Sequence, residues 1–402
     1  MMVEPWGSRP PALRLGRLAD WRRQDSFFQP RRASYWLFLV LLLGSFAYTL
    51  FEQGVFATAY PRAWVLSLLL MAGVALPVLL IIYRLDRFEP EPPSMVAAAF
   101  LWGAVISIFF ASIANELLFG YLGKVVSPAT LESWGPAVVA PINEEFYKGM
   151  GLLVLYLIAP REFNSLMDGV VYGAVIGLGF QVVENVQYFV RAVDLAGGQD
   201  QIWPVLGTFF IRVVAVGLYS HVLFTGLVGV GFAYAVTRDW RPWWVRLGVL
   251  TALAGLAWLA HFVWNSPLLD SVLVEGGVAA FMGYAVVKGL PFLAFLVVLV
   301  LVARRQETQA FGWLVATEVG SDVLSERELA ILRSGRLRKA ARRAVARAKG
   351  PTAGRLMDRL QREQIRLGLL SGTSGWGNPV LEQQREKIRA LRRRLAHIPV
   401  RL

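Results

Sequence analysis

The sequence predicts an all-α, polytopic membrane protein with about eight transmembrane helices and a C-terminal cytoplasmic helical tail. The first observation is composition: of 402 residues, 56 % are apolar and 17 % are charged, and the mean hydropathy is +0.49. Soluble proteins carry about 25 % charged residues, so this composition excludes an ordinary cytosolic enzyme and a disordered chain. The second observation is a series of apolar runs of bilayer length through the middle of the chain. The third is a net charge of +13 that is confined to the two ends.

The charge distribution predicts three regions. Residues 304–402 hold 22 Lys/Arg and 9 Asp/Glu, a net charge of +13, and residues 1–34 hold 7 Arg against 3 acids. The intervening residues 35–303 have 12 Lys/Arg and 16 Asp/Glu, a net charge of −4. We therefore expect a basic N-terminal arm (1–34), a transmembrane domain (35–303) and a basic helical tail (304–402).

Eight apolar runs have about the 20 residues that one bilayer crossing requires. The sixth is long for a single crossing and is predicted to be tilted or broken near Gly217. In chain order the runs are Tyr35–Phe51, Trp64–Tyr83, Met95–Phe119, Trp134–Leu157, Asp168–Val190, Gly207–Val236, Trp243–Trp264 and Phe281–Ala303.

The Lys/Arg bias of the loops predicts the orientation. Loops 84–94, 159–167 and 237–247 carry six Arg in total, whereas the loops on the opposite side carry three Lys/Arg. Positive loops remain cytoplasmic, and both basic termini fall on that side. We expect a multi-pass plasma-membrane protein with both termini in the cytoplasm.

The basic tail is predicted to be helical. Ser325 and Glu328 form a capping box that opens a helix running to about Lys349, a second helix covers about 354–370, and a third has Leu381, Ile388, Leu391 and Leu395 at helical spacing. The simplest interpretation is a solvated tail that packs on itself. The alternative is contact with anionic lipid, to which clustered Lys/Arg are attracted. Nucleic acid is not expected as a partner, because aromatic residues do not interleave with the charges.

Ionisable residues within the apolar runs are the candidate functional residues, because a charged group at membrane depth is costly and marks a site by default. They are Glu116, Glu144, Glu145, Lys148, Glu184, Arg212, His221, His261 and Lys288, with Asn143, Asn185 and Asn265 beside them.

In the fourth run, Glu144 and Lys148 are four residues apart and share one helix face, and Glu145 is three residues from Lys148. Two carboxylates beside one ammonium suit a general base or metal ligand backed by a structural ion pair. For Glu145 and Lys148, an ion pair that only fixes helix packing is the simpler interpretation.

The other candidates lie on later runs. Gly173, Gly177 and Gly179 are spaced for close helix contact, which directs Glu184 into a helix interface, where Tyr188 can donate a hydrogen bond to it. His221 and His261 lie on separate runs of a chain with three His in total, so we expect them to converge. The chain has no Cys, no H-E-x-x-H and no G-x-S-x-G sequence, which excludes thiol, zincin-like and serine-elbow chemistry. The remaining candidate site is Glu144, Glu184, His221 and His261, with Asn265 as an oxyanion donor.

These motifs resemble those of the PrsW family of bacterial intramembrane proteases, itself distantly similar to CAAX prenyl endopeptidases and Abi-type membrane proteases. The matching pattern is Glu144-Glu145-x-x-Lys148, then Asp168-Gly-x-x-Tyr-Gly leading to Phe-x-x-x-Glu184-Asn185-x-x-Tyr188, then His221, then His261-x-x-Trp-Asn265. It covers residues 35–303, which would make that region the protease domain. This chain has Gln181 where some relatives carry an acidic residue.

The resemblance implies an intramembrane endopeptidase of the bacterial plasma membrane that uses glutamate-activated or metal-bound water on a membrane-bound protein substrate, such as an anti-sigma factor. It implies catalytic roles for the six residues Glu144, Glu145, Glu184, His221, His261 and Asn265. Supporting roles fall to Lys148, Asn185, Tyr188 and Asp168. Zn²⁺ is a candidate cofactor with His221, His261 and Glu184 as ligands, but a metal-free acid–base site suits the same residues.

Two other classes of function remain open from the residues alone. A transporter or channel could use Glu144, Glu184 and the histidines as a proton or cation relay, although the runs show no evident inverted repeat. A catalytically inactive relative would only bind a membrane partner.

Overall fold

The chain is helical throughout the part that a computed structural model describes. These residues are 25–85, 88, 90–215, 220–268, 270–371 and 378–399; for 215, 270–282 and 284–285 the backbone alone is described. Within them, the β structure is one isolated bridge between Val319 and Leu324. Residues 1–24 of the predicted N-terminal arm, Gly217 and the turn residues 372–377 lie outside this description.

The helices follow one another with short connections. Nine of them lie in the first two thirds of the chain: α1 Ala33–Ala59, α2 Pro61–Tyr83, α3 Pro93–Leu101, α4 Ile108–Leu122, α5 Pro128–Ile158, α6 Leu166–Leu195, α7 Ile202–Phe209, α8 Ser220–Thr237 and α9 Trp243–Asn265. They are followed by α10 Asp270–Leu314, α11 Glu326–Leu332, α12 Gly335–Lys349, α13 Pro351–Ser371 and α14 Pro379–Ala396.

Two compact units make up the chain. The membrane unit comprises Asp25–Asp86 and Pro90–Leu301. The tail unit comprises Val302–Leu402 together with short earlier segments, of which the structure describes Phe88.

Seven helices among the described residues are long and apolar enough to cross a membrane. They confirm the predicted all-α polytopic fold, and the described residues of the eight predicted runs are helical. The fourth run is on α5, whose central part carries the charged residues of the candidate site. The long sixth run covers two helical elements: α7, which continues as a π-helical segment Phe210–Ala215, and α8.

Glycines bring the backbones of α6 and α8 into direct contact. A Cβ on Gly173 would lie 2.3 Å from the carbonyl oxygen of Thr225, and one on Gly177 would lie 2.1 Å from that of His221. Neither distance leaves room for a side chain, so small residues permit the close approach. This contact sets the position of His221 relative to α6, the helix that carries Glu184.

A π-helical turn, Trp102–Ser107, joins α3 and α4 into one continuous helix, Pro93–Leu122. Its first and last side chains bind the same acceptor: Trp102 Nε1 donates to the carbonyl oxygen of Tyr147 at 2.9 Å and Ser107 Oγ at 3.2 Å. The wide turn is thereby fixed against α5, one residue before Lys148.

The tail unit has two apolar clusters: one joins the end of α10 to α11 and α13, and the other joins α13 to α14. The predicted capping box of Ser325 and Glu328 is present, but the single helix predicted from Ser325 to Lys349 is wrong: α11 ends at Leu332 and Ser334 caps a new helix, α12. Leu381, Ile388 and Leu391 of α14 are buried, as their spacing predicts for one packed helix face.

Candidate functional site

Four helices of the membrane unit bring the predicted ionisable residues into one buried group. We call it the Glu144 cluster; its members are Glu144, Glu145 and Lys148 of α5, Glu184 of α6, His221 of α8 and His261 of α9. Glu144 is 4 % exposed, Lys148 0 % and His261 2 %. Charges this deep are stable only when opposite charges and hydrogen bonds compensate their lost hydration.

Glu144 lies at the centre of the cluster. Its Oε2 is 3.9 Å from Lys148 Nζ, 3.9 Å from His221 Nδ1 and 3.8 Å from His261 Nε2. This oxygen is buried and has no hydrogen-bond partner among the described residues. A buried carboxylate oxygen that has no partner and is surrounded by three nitrogens just beyond hydrogen-bond length calls for a further partner, such as a water or an ion.

Each histidine is oriented by a carboxylate on its far side. His221 Nε2 lies 2.9 Å from Glu184 Oε2, and His261 Nδ1 lies 2.8 Å from Glu145 Oε1. Because carboxylates accept hydrogen bonds, these ring nitrogens carry the protons. The opposite nitrogens therefore carry the lone pairs: His221 Nδ1 accepts from Lys148 Nζ at 2.8 Å, and His261 Nε2 lies 3.8 Å from Glu144 Oε2.

Lys148 supplies the positive charge of the cluster. Its Nζ donates to Glu145 Oε1 at 2.7 Å, lies 2.8 Å from His221 Nδ1, and sits 4.5 Å from the centre of the Phe180 ring. Glu145 Oε1 thus accepts from both Lys148 and His261, while Glu145 Oε2 is buried without a partner among the described residues. Glu145 is bound to the ammonium more closely than Glu144 is.

A second group extends from Glu184 toward the π-helical segment after α7. Arg212 donates through Nη2 to Glu184 Oε2 at 3.1 Å and through Nε to Asn185 Oδ1 at 3.0 Å. Its guanidinium lies 3.5 Å from the centre of the Tyr188 ring. The predicted supporting residues Asn185 and Tyr188 therefore contact Arg212, which binds the same oxygen of Glu184 as His221 does.

Sequence reasoning missed Asn115 of α4. Asn115 Nδ2 donates to Glu144 Oε1 at 3.4 Å, and Asn143 Nδ2 donates to Asn115 Oδ1 at 2.9 Å. The only signal in the sequence is an amide side chain in the middle of an apolar run. The neighbouring Glu116 is charged and therefore more conspicuous. Glu116 is exposed and points away from this chain of hydrogen bonds.

Four predicted or noted polar residues lie elsewhere. Asn265, one turn beyond His261, donates to the carbonyl oxygen of Pro136 at 3.2 Å. Asp168 caps the start of α6, where it accepts hydrogen bonds from the backbone of Asn164 and Ser165. Lys288 donates to the carbonyl oxygen of Ser266 at the end of α9. Gln181, the position noted in the family pattern, is buried in α6.

The group with metal-ligand geometry is Glu144, His221 and His261. One ligand atom from each lies within 4.8 Å of the others. Sequence reasoning had suggested Glu184 as the acid beside the two histidines, but Glu184 binds the outward nitrogen of His221. A histidine that donates its far N–H to a carboxylate is the usual arrangement at zinc sites. The donor set fits Zn²⁺, with Lys148 as the competing cation at His221 Nδ1.

The chain is similar to a known protein family over the helices that carry the Glu144 cluster. The model of the family described as "PrsW family intramembrane metalloprotease" matches residues 91–306, more than half of the 402 residues. This range begins just before α3 and ends within α10.

Three curated proteins named Protease PrsW are similar to the chain. The one from Geobacillus kaustophilus is 32 % identical over 169 residues (42 % of this chain, 66 % of the relative). The one from Clostridioides difficile is 31 % identical over 103 residues (26 % and 42 %), and the one from Oceanobacillus iheyensis is 29 % identical over 175 residues (42 % and 70 %). The chain therefore spans just under two thirds of the first relative's length. No solved structure matches.

Proposed function

The chain belongs to the PrsW family of intramembrane metalloproteases, and from this premise we propose that it hydrolyses peptide bonds of membrane-associated proteins within its membrane unit. The observation that carries the proposal is Glu144 Oε2: buried, without a hydrogen-bond partner among the described residues, and 3.8–3.9 Å from three nitrogens. A hydrolase needs such a place for the attacking water, next to a group that accepts its proton.

The donor set supports a metal-bound form of this site. Glu144, His221 and His261 would hold a divalent ion such as Zn²⁺, which when bound polarises a carbonyl and lowers the pKa of a bound water. Glu184 and Glu145 would then hold the two imidazoles in the ligating tautomer through their 2.9 Å and 2.8 Å contacts. Lys148 would have to leave His221 Nδ1, and Glu145 Oε1 is the acceptor that would retain it.

A metal-free form uses the same residues as acid and base. Glu144 Oε2 would take a proton from a water, the water oxygen would attack the carbonyl carbon, and the proton would pass to the departing amine nitrogen. Lys148 would stay on Glu145 and His221, which is its position in this structure. Asn265 would serve as an oxyanion donor in either form after leaving the carbonyl of Pro136.

Cleavage of a single-pass membrane protein by the purified full-length chain tests the proposal. Glu144→Gln and His261→Gln should each lower the rate by about 10²–10⁴-fold, the usual contribution of such groups. Glu116→Gln is the matched control, because it removes an exposed carboxylate from the helix that carries Asn115. Cleavage by the Glu144→Gln variant at the wild-type rate would overturn the proposal. Ion flux through liposomes that contain the protein, without cleavage, would favour the alternative of a proton or cation relay.

Metal analysis separates the two forms of the site. The metal-bound form predicts about one divalent ion per chain in the purified wild type, its loss in His261→Gln, and inactivation by a chelator that the ion reverses. Metal-free protein with chelator-resistant cleavage would leave only the acid–base form.

A membrane-bound anti-sigma factor is the substrate we propose from the family resemblance, and regulated proteolysis in signalling is the corresponding role. Cleavage of a reconstituted anti-sigma factor within or beside its membrane segment would support it. If the anti-sigma factor were not cleaved while an unrelated membrane substrate was, the substrate proposal would be contradicted and the peptidase proposal would stand.

The orientation with both termini cytoplasmic is also proposed, and it would bring the basic tail to the anionic lipid of the inner leaflet. A fusion of alkaline phosphatase, which is active only outside the cytoplasm, at Leu402 should be inactive.

A further inference from the structure

The tail unit contains a groove lined by arginines between α12 and α13. Its volume is about 590 Å³, and its lining includes Arg342 and Arg343 of α12 and Arg355 and Arg362 of α13. One acid, Asp358, is part of the same lining. The rest of the lining is small residues at the junction of the two helices, which leaves the space between the guanidinium groups open.

Most acids of the tail unit pair with arginines of another helix, α14. Ion pairs join Glu318, Asp322 and Glu328 to arginines 385, 389 and 392 of α14. Glu382 and Glu386, on α14 itself, pair with the same set of arginines. The arginines of α14 therefore neutralise most of the negative charge of the tail unit, and the groove keeps a net positive charge.

The α12 helix is the most cationic element of the described chain. Between Gly335 and Lys349 it has seven Lys/Arg and no Asp/Glu, and none of its residues is buried. Arg343 and Arg355 are exposed at the groove. Asp358 offsets part of this charge at Arg342, but the large net positive charge that remains on α12 destabilises the unit by self-repulsion, and an anionic partner would relieve it.

Asp358 fixes two of the guanidinium groups at the groove. It pairs with Arg342 and, at 2.9 Å, with Arg362. An arginine held by one carboxylate still has free N–H donors, since the guanidinium has five. Planar donors held in place are suited to bidentate binding of phosphate oxygens.

We propose that this groove binds the phosphate group of an anionic membrane lipid. About 20 residues separate Leu314, the end of the last apolar helix, from Gly335. Even fully extended they reach only about 75 Å, so the chain tethers the groove within that distance of the bilayer that the apolar helices cross. Nucleic acid is a poorer fit because no aromatic side chain lines the groove to stack on bases. The inference rests on the proposed membrane location of the chain and is independent of its peptidase activity.

The chain has no cysteine, so Ala344→Cys, on the exposed surface of α12, provides one labelling site for an environment-sensitive fluorophore. The labelled full-length protein in neutral detergent is titrated with dihexanoyl phosphatidylglycerol, dihexanoyl phosphatidylcholine and inorganic phosphate in parallel. We expect a saturable response to phosphatidylglycerol at concentrations at which the other two give none.

Two variants with equal loss of charge distinguish a groove from diffuse attraction. The groove variant combines Arg343→Gln, Arg355→Gln and Arg362→Gln; it should raise the half-saturating concentration about 100-fold, since each basic residue contributes roughly a fivefold factor. The control variant combines three exposed positions outside the groove lining: Arg359→Gln, Lys387→Gln and Arg394→Gln. It should remain within about fivefold of wild type.

Several outcomes would overturn the proposal. Equal losses in the two variants would mean diffuse charge attraction, and an equal response to inorganic phosphate would mean a site for free phosphate. If the protein bound RNA and did not respond to phosphatidylglycerol, the groove would be a nucleic-acid site. If the combined variant fails to fold, the single substitutions Arg343→Gln and Arg355→Gln, which break none of the ion pairs described above, should each weaken binding about fivefold. The single control Arg359→Gln should weaken it less than about twofold, and equal effects would contradict the proposal.

Discussion

Gly177→Ala is predicted to disable the Glu144 cluster without changing any of its side chains. A Cβ at Gly177 would lie 2.1 Å from the carbonyl oxygen of His221 and 2.6 Å from its carbonyl carbon. Both atoms are main chain, so no side-chain rotation relieves the contact. Increasing the first distance from 2.1 Å to 3.0 Å, the smallest that real Cβ atoms show, requires a displacement of this part of α8 by about 0.9 Å.

That displacement acts directly on the site. His221 moves with α8, whereas Glu184 stays on α6 with Gly177, so their 2.9 Å contact lengthens toward about 3.8 Å and ceases to be a hydrogen bond. Misplacement of a reacting group by about 1 Å costs roughly 100-fold in rate, and overpacking costs about 1–3 kcal/mol of stability. We therefore expect cleavage about 100-fold slower and a lower melting temperature.

The assay compares cleavage of a membrane substrate and thermal unfolding in the same detergent. Gly149→Ala is the matched control: it adds the same methyl group beside Lys148, where the nearest atom is Val228 Cγ1 at 3.6 Å, an ordinary contact. If Gly177→Ala cleaved and melted like Gly149→Ala, the argument that backbone contact positions His221 would be refuted.

Three further predictions concern other parts of the chain. Asn115→Leu should lower kcat about 10–100-fold with KM unchanged, because Glu144 loses the amide that orients it; an unchanged kcat would remove Asn115 from the site. Burial raises the pKa of Glu162 from 4.5 to about 8, so the folded protein keeps a proton there that the unfolded chain loses. The melting temperature should consequently fall as pH rises from 5 to 8, and Glu162→Gln should flatten that fall; an identical slope in the variant would contradict the assignment. Ser325→Ala should destabilise the tail unit by about 1 kcal/mol in denaturant unfolding, because the capping box with Glu328 is lost.

The membrane helices could be predicted because hydropathy over a bilayer length is a property of the sequence itself. The ionisable members of the Glu144 cluster could be predicted for a related reason: charge within an apolar run is costly, so the few such residues stand out. The spacing of these residues along the chain does not show which side chains meet across the helix interfaces. That His221 Nε2 faces Glu184 while its Nδ1 faces Glu144 depends on how α8 lies against α5 and α6.

Residues with weaker signals were correspondingly missed. Asn115 is an uncharged amide in an apolar run, which costs less than a charge and draws less notice than the neighbouring Glu116. The break between α11 and α12 was missed because a serine at position 334 is compatible with both the interior and the start of a helix. In the structure its side chain accepts a hydrogen bond from the backbone N–H of Leu337, which makes it a capping residue. Only the packing of the tail unit decides between the two.

The π-helical turn at Trp102–Ser107 determines the rotational register of everything that follows it in the same helix. Such a turn contains one residue more than an α-helical turn, and one residue corresponds to about 100° of rotation. Asn115 faces Glu144 only with that extra residue in place. Deleting a single residue from the turn would restore α-helical periodicity and swing Asn115 by about 100°. A one-codon deletion could thus uncouple α4 from the Glu144 cluster while every one of the family's motif residues remained in the sequence.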